Sequence, residues 1–222
     1  MNIVVIPAYN ESSKIFHLVQ SVKALSYEVV VIDDGSNDAT LIEAQRAGAV
    51  VLRHFVNRGY GAALETGNQW ALRHSYDVIV HFDGDGQHNA EEIKDMIAPI
   101  QEGVADVVIG SRFLSKNETL PIIRKMLIKM AVLFTWIFSS IKLTDAHNGF
   151  RAFSRGALAV IQCRQDGMSY ASEVIDQIAE HKLRIKEVPV TIQYTDYSKA
   201  KGESNIKKML VGLKFLWGKV IK

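Results

Sequence analysis

The alternation of short apolar runs with longer segments of helical periodicity, over roughly the first half of the chain, most constrains the fold. The apolar runs are rich in β-branched and aromatic residues and are bounded by Gly, Asp and Asn, as buried strands are. Strands separated by helices form βαβ units, so the pattern predicts an α/β fold with a mostly parallel central sheet flanked by helices. The predicted strands span residues 2–6, 28–32, 49–53, 77–82 and 106–109; the predicted helices span 10–25, 38–47, 62–73 and 91–101, the first capped by Asn10 or Ser12.

Three polar segments follow predicted strands, and open parallel sheets bind ligands beyond the carboxyl ends of their strands. These segments are 7–11, 33–36 and 83–85. In the last, Asp83 and Asp85 stand two apart, so on an extended backbone both carboxylates point the same way, and Gly84 permits close approach of a ligand. Hard oxygen ligands suit Mg²⁺ or Mn²⁺, which bind through one or two carboxylates plus substrate phosphates. Taken alone, such a motif is more often an Asp/Gly turn without a ligand, but the joint placement of the three segments favours a site.

The charge distribution divides the chain. Residues 1–110 carry 7 Lys/Arg against 15 Asp/Glu, and residues 111–222 carry 19 against 9. This polarity indicates a metal and nucleotide end, and an end that meets a phosphorylated acceptor or an anionic lipid surface. The single Cys163 and the absence of a signal-peptide pattern predict a reducing, cytoplasmic location.

The second half contains two apolar segments. Residues 120–143 are strongly apolar, but only 130–141 are free of charge, which is too short for a spanning helix of about 20 residues. Residues 205–222 place apolar side chains at helical spacing among five lysines. This pattern predicts a basic amphipathic helix, either lying on a membrane surface or packed on the core. The first reading makes the protein peripheral on the cytoplasmic face of a membrane.

Several motifs, in this order and spacing, resemble glycosyltransferase family 2 of the GT-A fold, and most closely its dolichol-phosphate mannosyltransferase-like branch. The segments that carry the resemblance are Ile6-Pro7-Ala8-Tyr9-Asn10-Glu11, Val31-Ile32-Asp33-Asp34-Gly35-Ser36, 57–62, 83–88, Gly110-Ser111-Arg112, Asn148-Gly149-Phe150-Arg151 and 187–190.

The resemblance implies one glycosyltransferase domain over residues 1–222. Residues 1–112 would form the nucleotide-sugar half, 113–204 the acceptor half and 205–222 the C-terminal helix. The implied reaction is inverting and metal-dependent: a sugar passes from a GDP- or UDP-linked donor to a polyprenyl phosphate of the dolichyl or undecaprenyl type. A membrane surface and a membrane-anchoring partner are the further partners expected, and no nucleic acid is.

The resemblance also assigns site residues. Asp85 and Asp145 are the expected catalytic residues, and Mg²⁺ or Mn²⁺ is expected on Asp83, Asp85 and Gln87. The nucleotide-binding set is Pro7, Tyr9, Glu11, Ile32, Asp34, Asp83 and Gly84. The acceptor-phosphate set is Arg112, Arg124, Arg151, Lys199 and Lys201, since Arg offers a planar fork of donors that matches phosphate.

Two points stay open within this resemblance. Asp145 is a candidate general base if the acceptor is a saccharide hydroxyl, and otherwise a residue that orients Arg151. The segment 202–205 reads Gly-Glu-Ser-Asn where mannosyltransferases carry Gly-Glu-Ser-Lys, which weakens an assignment of mannose.

Other functions fit the sequence less well. A nicotinamide-dependent oxidoreductase needs a Gly-rich turn after the first strand, whereas the near match at 59–64 follows the third. A sugar nucleotidyltransferase would open with a Gly-rich phosphate loop. A non-catalytic nucleotide-sugar-binding protein remains an alternative, because fold does not determine function.

Overall fold

The computed structural model describes residues 1–115, 132, 141–167 and 169–193. Seven strands lie in these residues: β1 (Asn2–Ala8), β2 (Glu28–Asp33), β3 (Val50–Arg53), β4 (Val78–His81), β5 (Val107–Ser111), β6 (Arg151–Ser154) and β7 (Ile185–Pro189). The α-helices among them are α1 (Ile15–Ala24), α2 (Thr40–Arg46), α3 (Tyr60–Arg73), α4 (Ile93–Gln101), α5 (Arg155–Val160) and α6 (Tyr170–Glu180), and a 3₁₀ turn at Ala90–Glu92 precedes α4.

The strands form one sheet in the order β3-β2-β1-β4-β6-β5-β7. The pairs β1–β2, β2–β3, β1–β4 and β5–β7 are parallel, and β6 lies antiparallel between β4 and β5. Because β6 runs against its neighbours, its first residue lies at the carboxyl edge of the others. The segment 141–150, which leads into β6, is therefore delivered to the edge where ligands bind in such sheets.

Helices cover both faces of the sheet, because successive strand residues point to opposite sides. In β1, Val4 and Ile6 face α1, α2 and α4, whereas Ile3 and Val5 face α3, α5 and α6. The inner strands are apolar on both faces, as expected for a parallel sheet buried between two layers of helices. This rigid frame fixes the positions of the loops at the carboxyl edge.

The end of β5 and the start of β6 lie side by side. Ile109 pairs with Arg151, and the N–H of Gly110 donates to the carbonyl of Phe150 at 2.9 Å. The hydroxyls of Ser111 and Thr144 are 2.6 Å apart.

The predicted α/β class and mostly parallel sheet are confirmed, and each predicted strand lies within two residues of an observed one. The predicted start of the first helix is wrong. Neither Asn10 nor Ser12 caps α1; the carbonyl of Glu11 accepts from the N–H groups of Lys14 and Ile15, and the helix begins at Ile15. Strands β6 and β7 and helices α5 and α6 were not predicted.

Some predicted features lie outside the described residues. These are Arg124, Lys199, Lys201, the C-terminal helix 205–222 and most of the apolar stretch 120–143. Among the helices that the structure describes, none combines the length and apolar character needed to cross a bilayer.

Candidate active site

Asp83 lies just beyond β4 in a seat built by three other parts of the chain. The Tyr60 hydroxyl donates to its Oδ1, and Nε2 of the buried His88 lies 3.1 Å from its Oδ2. Below the carboxylate is Gly149, where a Cβ would lie only 2.6 Å from Oδ2. Although burial opposes it, the hydrogen bonds from His88 and Tyr60 lower the pKa of Asp83. The carboxylate is thus held ionised and in one place, with 24% of its side chain exposed.

Asp85 follows in a turn rather than on an extended backbone. Its Oδ1 accepts from the N–H of Gln87 at 3.0 Å, and its backbone carbonyl accepts from Lys14 Nζ at 2.8 Å. Burial, together with the nearby charge of Asp83, raises the pKa of Asp85 to about 6. The two carboxylates are therefore close enough to repel, as the sequence predicts, although the turn at Gly84 and Asp85 brings this about.

A divalent cation fits this donor set. The ionised Asp83 opposes ionisation of the partly buried Asp85, and a positive charge between the two would remove that opposition. Among the described residues no three His, Cys, Asp or Glu side chains form a ready ligand group. Mg²⁺ commonly binds through one or two carboxylates and completes its shell with water and substrate phosphates. The assignment of metal to Asp83, Asp85 and Gln87 stays a prediction.

The residues expected around the nucleotide differ in accessibility. Tyr9, at the end of β1, is 41% exposed, and the buried Glu11 is close enough to help raise the pKa of Asp85. Pro7 is buried in β1. The side chain of Ile32 was wrongly assigned to the nucleotide, because it is fully buried in the core beneath α3.

Gly84 lies against the backbone of β1. A Cβ there would lie 2.8 Å from the carbonyl oxygen of Pro7, so this contact by itself requires glycine. The predicted approach of a ligand at Gly84 stays a prediction.

Asp34 organises the loop between β3 and α3. Its carboxylate accepts from the N–H groups of Arg58 (2.9 Å) and Gly59 (2.8 Å), and His54 Nδ1 lies 2.7 Å away. The residue after this loop is Tyr60, which contacts Asp83. Asp34 therefore positions the start of α3, and through it Tyr60.

Arg112 and Asp145 form a partly buried ion pair beyond the end of β5. The Arg112 Nε donates to Asp145 Oδ2 at 2.5 Å, and Asp145 is fully buried. Glu187 fixes this loop by accepting from the backbone N–H of Asp145 at 3.0 Å and that of Thr144 at 2.8 Å. The expected partnership of Asp145 with Arg151 is wrong, since its ion-pair partner is Arg112.

Arg151 does not lie on an open surface as an acceptor-binding residue would. It is fully buried, and it donates from Nε to the carbonyl of Asn148 and from Nη2 to that of Ala146, both at 2.9 Å. Its guanidinium lies 5.3 Å from the ring centre of Tyr170. Arg151 thus holds the 145–150 loop from inside.

Four residues of this site were not identified as functional from the sequence: Tyr60, His88, Gly149 and His147. Tyr60, His88 and Gly149 contact Asp83 as described above, and they lie in motifs that were singled out for other members; His147 immediately precedes the motif 148–151. Burial, with Arg151 nearby, lowers the pKa of His147 to about 4, so its imidazole is neutral at neutral pH. The contact between Gly149 and Asp83 gives no sequence signal, because Asp83 follows β4 and Gly149 lies far along the chain in the loop before β6.

Comparison with known proteins identifies the family. The model of glycosyl transferase family 2 matches residues 3–161. The UDP-N-acetylglucosamine–dolichyl-phosphate N-acetylglucosaminyltransferase of Methanococcus voltae is 31% identical, over 96% of this chain and 92% of that protein. The undecaprenyl-phosphate mannosyltransferase of Micrococcus luteus is 30% identical, over 94% of this chain and 88% of that protein.

Solved structures show the same fold. Glucosyl-3-phosphoglycerate synthase of Mycobacterium tuberculosis, in complex with Mn²⁺, UDP and glucosyl-3-phosphoglycerate, superposes with a TM-score of 0.70 at 20% identity, over 98% of this chain and 80% of that one. The same enzyme is also known with Mg²⁺ and UDP. By its family model, its relatives and its sheet, this chain belongs to glycosyltransferase family 2, with the α/β architecture of the GT-A enzymes.

Proposed function

We propose that the protein transfers a sugar, with inversion, from a nucleoside-diphosphate donor to a polyprenyl phosphate. The observation that carries the proposal is the pair of partly buried carboxylates Asp83 and Asp85, which follow β4, together with the ion pair Arg112–Asp145, whose arginine follows β5 at the same edge of the sheet. A cation site and a fixed guanidinium at one edge are what a reaction between two phosphorylated substrates requires.

The donor would bind at the ends of β1 and β4. The exposed ring of Tyr9 is available to stack on a base. Glu11, buried beside it in the sequence motif, would contribute a carboxylate that accepts hydrogen bonds. Asp83, Asp85 and Gln87 would hold Mg²⁺ or Mn²⁺ against the diphosphate. Bound there, the ion supplies Lewis-acid stabilisation of the departing nucleoside diphosphate.

The acceptor side supports a phosphate rather than a hydroxyl. A saccharide hydroxyl needs a base, but the carboxylate of Asp145 is fully buried and accepts from both Nε and the backbone N–H of Arg112. Asp145 therefore acts by fixing the Arg112 fork. A phosphate monoester with a second pKa of about 6 is already largely ionised at neutral pH and needs no base.

The names of the relatives agree with this assignment. Those from Methanococcus voltae and Micrococcus luteus are named as acting on dolichyl phosphate and undecaprenyl phosphate, and a dolichol-phosphate mannosyltransferase from Pyrococcus furiosus is 32% identical over 92% of this chain and 58% of that protein. The sugars in these names differ, N-acetylglucosamine in the first and mannose in the other two, so the test below includes both UDP- and GDP-linked sugars.

The test is sugar transfer into the organic phase. The full chain is incubated with radiolabelled UDP- or GDP-sugars, Mn²⁺ or Mg²⁺, and a polyprenyl phosphate, then extracted; a parallel arm offers a saccharide acceptor, and another contains chelator. We expect lipid-linked product that is lost with chelator and with Asp85→Asn, but kept with Asp95→Asn in helix α4. Product only on the saccharide, or equal turnover by Asp85→Asn, would overturn the proposal.

A further inference from the structure

Two neighbouring side chains on the loop between β3 and α3 project into solvent. Phe55 has 105% of its reference accessible surface and Val56 has 66%. We call residues 54–59 the Phe55 loop. A fully exposed aromatic residue beside an exposed β-branched one forfeits the hydrophobic stabilisation that burial would give.

The Phe55 loop is held in this position at both ends. His54 donates its backbone N–H to the Asp33 carbonyl at 2.9 Å, and its ring lies between the Asp34 carboxylate (2.7 Å) and the Thr66 hydroxyl (2.8 Å). At the other end, Asp34 accepts from the N–H groups of Arg58 and Gly59. The hydrogen bonds at both ends of the loop therefore hold Phe55 on the outside of the protein.

Gly35, in the turn after β2, packs closely against the backbone of the Phe55 loop. Its φ of +74° favours glycine, and a Cβ there would lie 2.7 Å from the N of Asn57. The backbone of the loop thus rests on the β2 turn, which leaves the side chains of Phe55 and Val56 no path into the core.

The charges around the pair are positive. Residues 53–60 contain Arg53 and Arg58 and no Asp or Glu, although they lie in the acidic half of the chain. Arg53 forms an ion pair with the buried Asp33, with 3.3 Å between Nε and Oδ2, yet 51% of its side chain stays exposed. Arg58 is also exposed. An apolar tip flanked by arginines is the composition of a contact with an anionic bilayer surface.

The location agrees with this contact. The Phe55 loop follows β3, so it lies at the carboxyl edge with Tyr9 and Asp83. If the acceptor is a polyprenyl phosphate, as proposed above, its phosphate lies at the bilayer surface and this edge must face the bilayer. A protein partner fits less well, because a stable interface buries about 800 Å² on each side, far more than one Phe and one Val provide.

We infer that the Phe55 loop is a membrane contact: Phe55 and Val56 enter the boundary between headgroups and acyl chains, and Arg53 and Arg58 meet anionic headgroups. The inference rests on the proposed function for the orientation of this edge. The contact is separate from the predicted C-terminal helix.

A site-specific label tests the inference. Cys163 is the single cysteine and is buried, so Phe55→Cys in the full chain accepts an environment-sensitive fluorophore at one place. The matched control is Val104→Cys, which is 53% exposed and precedes β5 at the opposite edge. Vesicles of phosphatidylcholine alone, or with phosphatidylglycerol, contain no polyprenyl phosphate, so the signal does not depend on turnover.

We expect a blue shift at position 55 with anionic vesicles and none at position 104. Unlabelled Phe55→Ser should weaken partition to anionic vesicles on the order of tenfold, whereas Val104→Ser should not. No shift at position 55, or equal shifts at both positions, overturns the inference. If position 55 shows a blue shift that grows with protein concentration in the absence of vesicles, the Phe55 loop contacts a second copy of the chain, and the membrane contact is overturned.

The two proposals fail separately. A shift at position 55 without any transfer to polyprenyl phosphate leaves the membrane contact standing and removes the acceptor assignment. Transfer to polyprenyl phosphate without a shift at position 55 leaves the acceptor assignment standing and removes the membrane contact.

Discussion

Replacing Gly149 by Ala tests whether the placement of Asp83 governs activity. The backbone of Gly149 has no positive φ, so alanine is accepted without backbone strain, and the effect is steric. The new Cβ would lie 2.6 Å from Oδ2 and 2.7 Å from Oδ1 of Asp83, whereas ordinary contact begins at 3.4 Å. The carboxylate must therefore move by the difference between 3.4 and 2.6 Å, or 0.8 Å.

Asp83 cannot make this move without disturbing its hydrogen bonds to Tyr60 and His88. A misplacement of about 1 Å at a reacting centre costs on the order of 10²-fold in rate. We therefore expect kcat/KM for sugar transfer to fall by about 10²-fold, which is roughly 2.7 kcal/mol of lost transition-state stabilisation, and half-saturation to require more Mn²⁺.

The assay is sugar transfer measured across a Mn²⁺ titration. Gly156→Ala is the matched control, because a Cβ at Gly156 meets nothing within 4 Å and the residue lies in helix α5. Adding Gly149→Ala to Asp83→Ala should cost no further activity if the effect passes through this carboxylate. Wild-type kcat/KM and an unchanged Mn²⁺ requirement in Gly149→Ala would refute the reasoning.

Three further predictions concern the neighbouring residues. The pKa of Asp85 is raised from 3.8 to about 6, so its negative charge destabilises the metal-free fold above about pH 6 and not below about pH 4. Asp85→Asn should therefore raise the Tm of chelator-treated protein at about pH 8 and leave it unchanged near pH 4. An equal effect at both pH values would contradict this prediction. Arg112→Lys should raise the acceptor KM roughly tenfold and leave the donor KM unchanged; a matching rise in donor KM would argue against an acceptor role. Arg112→Ala should lose about 3–5 kcal/mol of stability in urea unfolding, because Asp145 is left buried and unpaired. Arg151→Ala should lower the free energy of unfolding by about 2–5 kcal/mol without a selective rise in acceptor KM; unchanged stability with a selective rise would place Arg151 at the acceptor instead.

The sequence predicted the parts of the fold whose signals are local. Most strands of the first half are short apolar runs bounded by turn residues, so their positions along the chain and the α/β class follow from periodicity. The four-residue β6 begins with Arg151 and β7 contains Lys186 and Glu187, so neither carries that signal. Their place in the sheet comes from pairing with β4 and β5, which is a non-local property.

The site shows the same division. Asp83 and Asp85 were identified because they follow a predictable strand. The seat of Asp83 was not, because Tyr60 and Gly149 reach it from α3 and from the loop before β6. Ile32 and Arg151 were assigned by resemblance alone, which does not reveal burial. In Arg151, a charge normally found at the surface is held inside by backbone carbonyls.

The adjoining ends of β5 and β6 have a consequence for how such enzymes diversify. The chain leaves the sheet at Ser111 and rejoins it at Arg151, on neighbouring strands. An insertion there can grow or shrink without redirecting any strand, since doubling the length of a loop costs only about 0.6 kcal/mol. We therefore expect insertions and deletions between Ser111 and Arg151 to leave the order of the strands in the sheet unchanged.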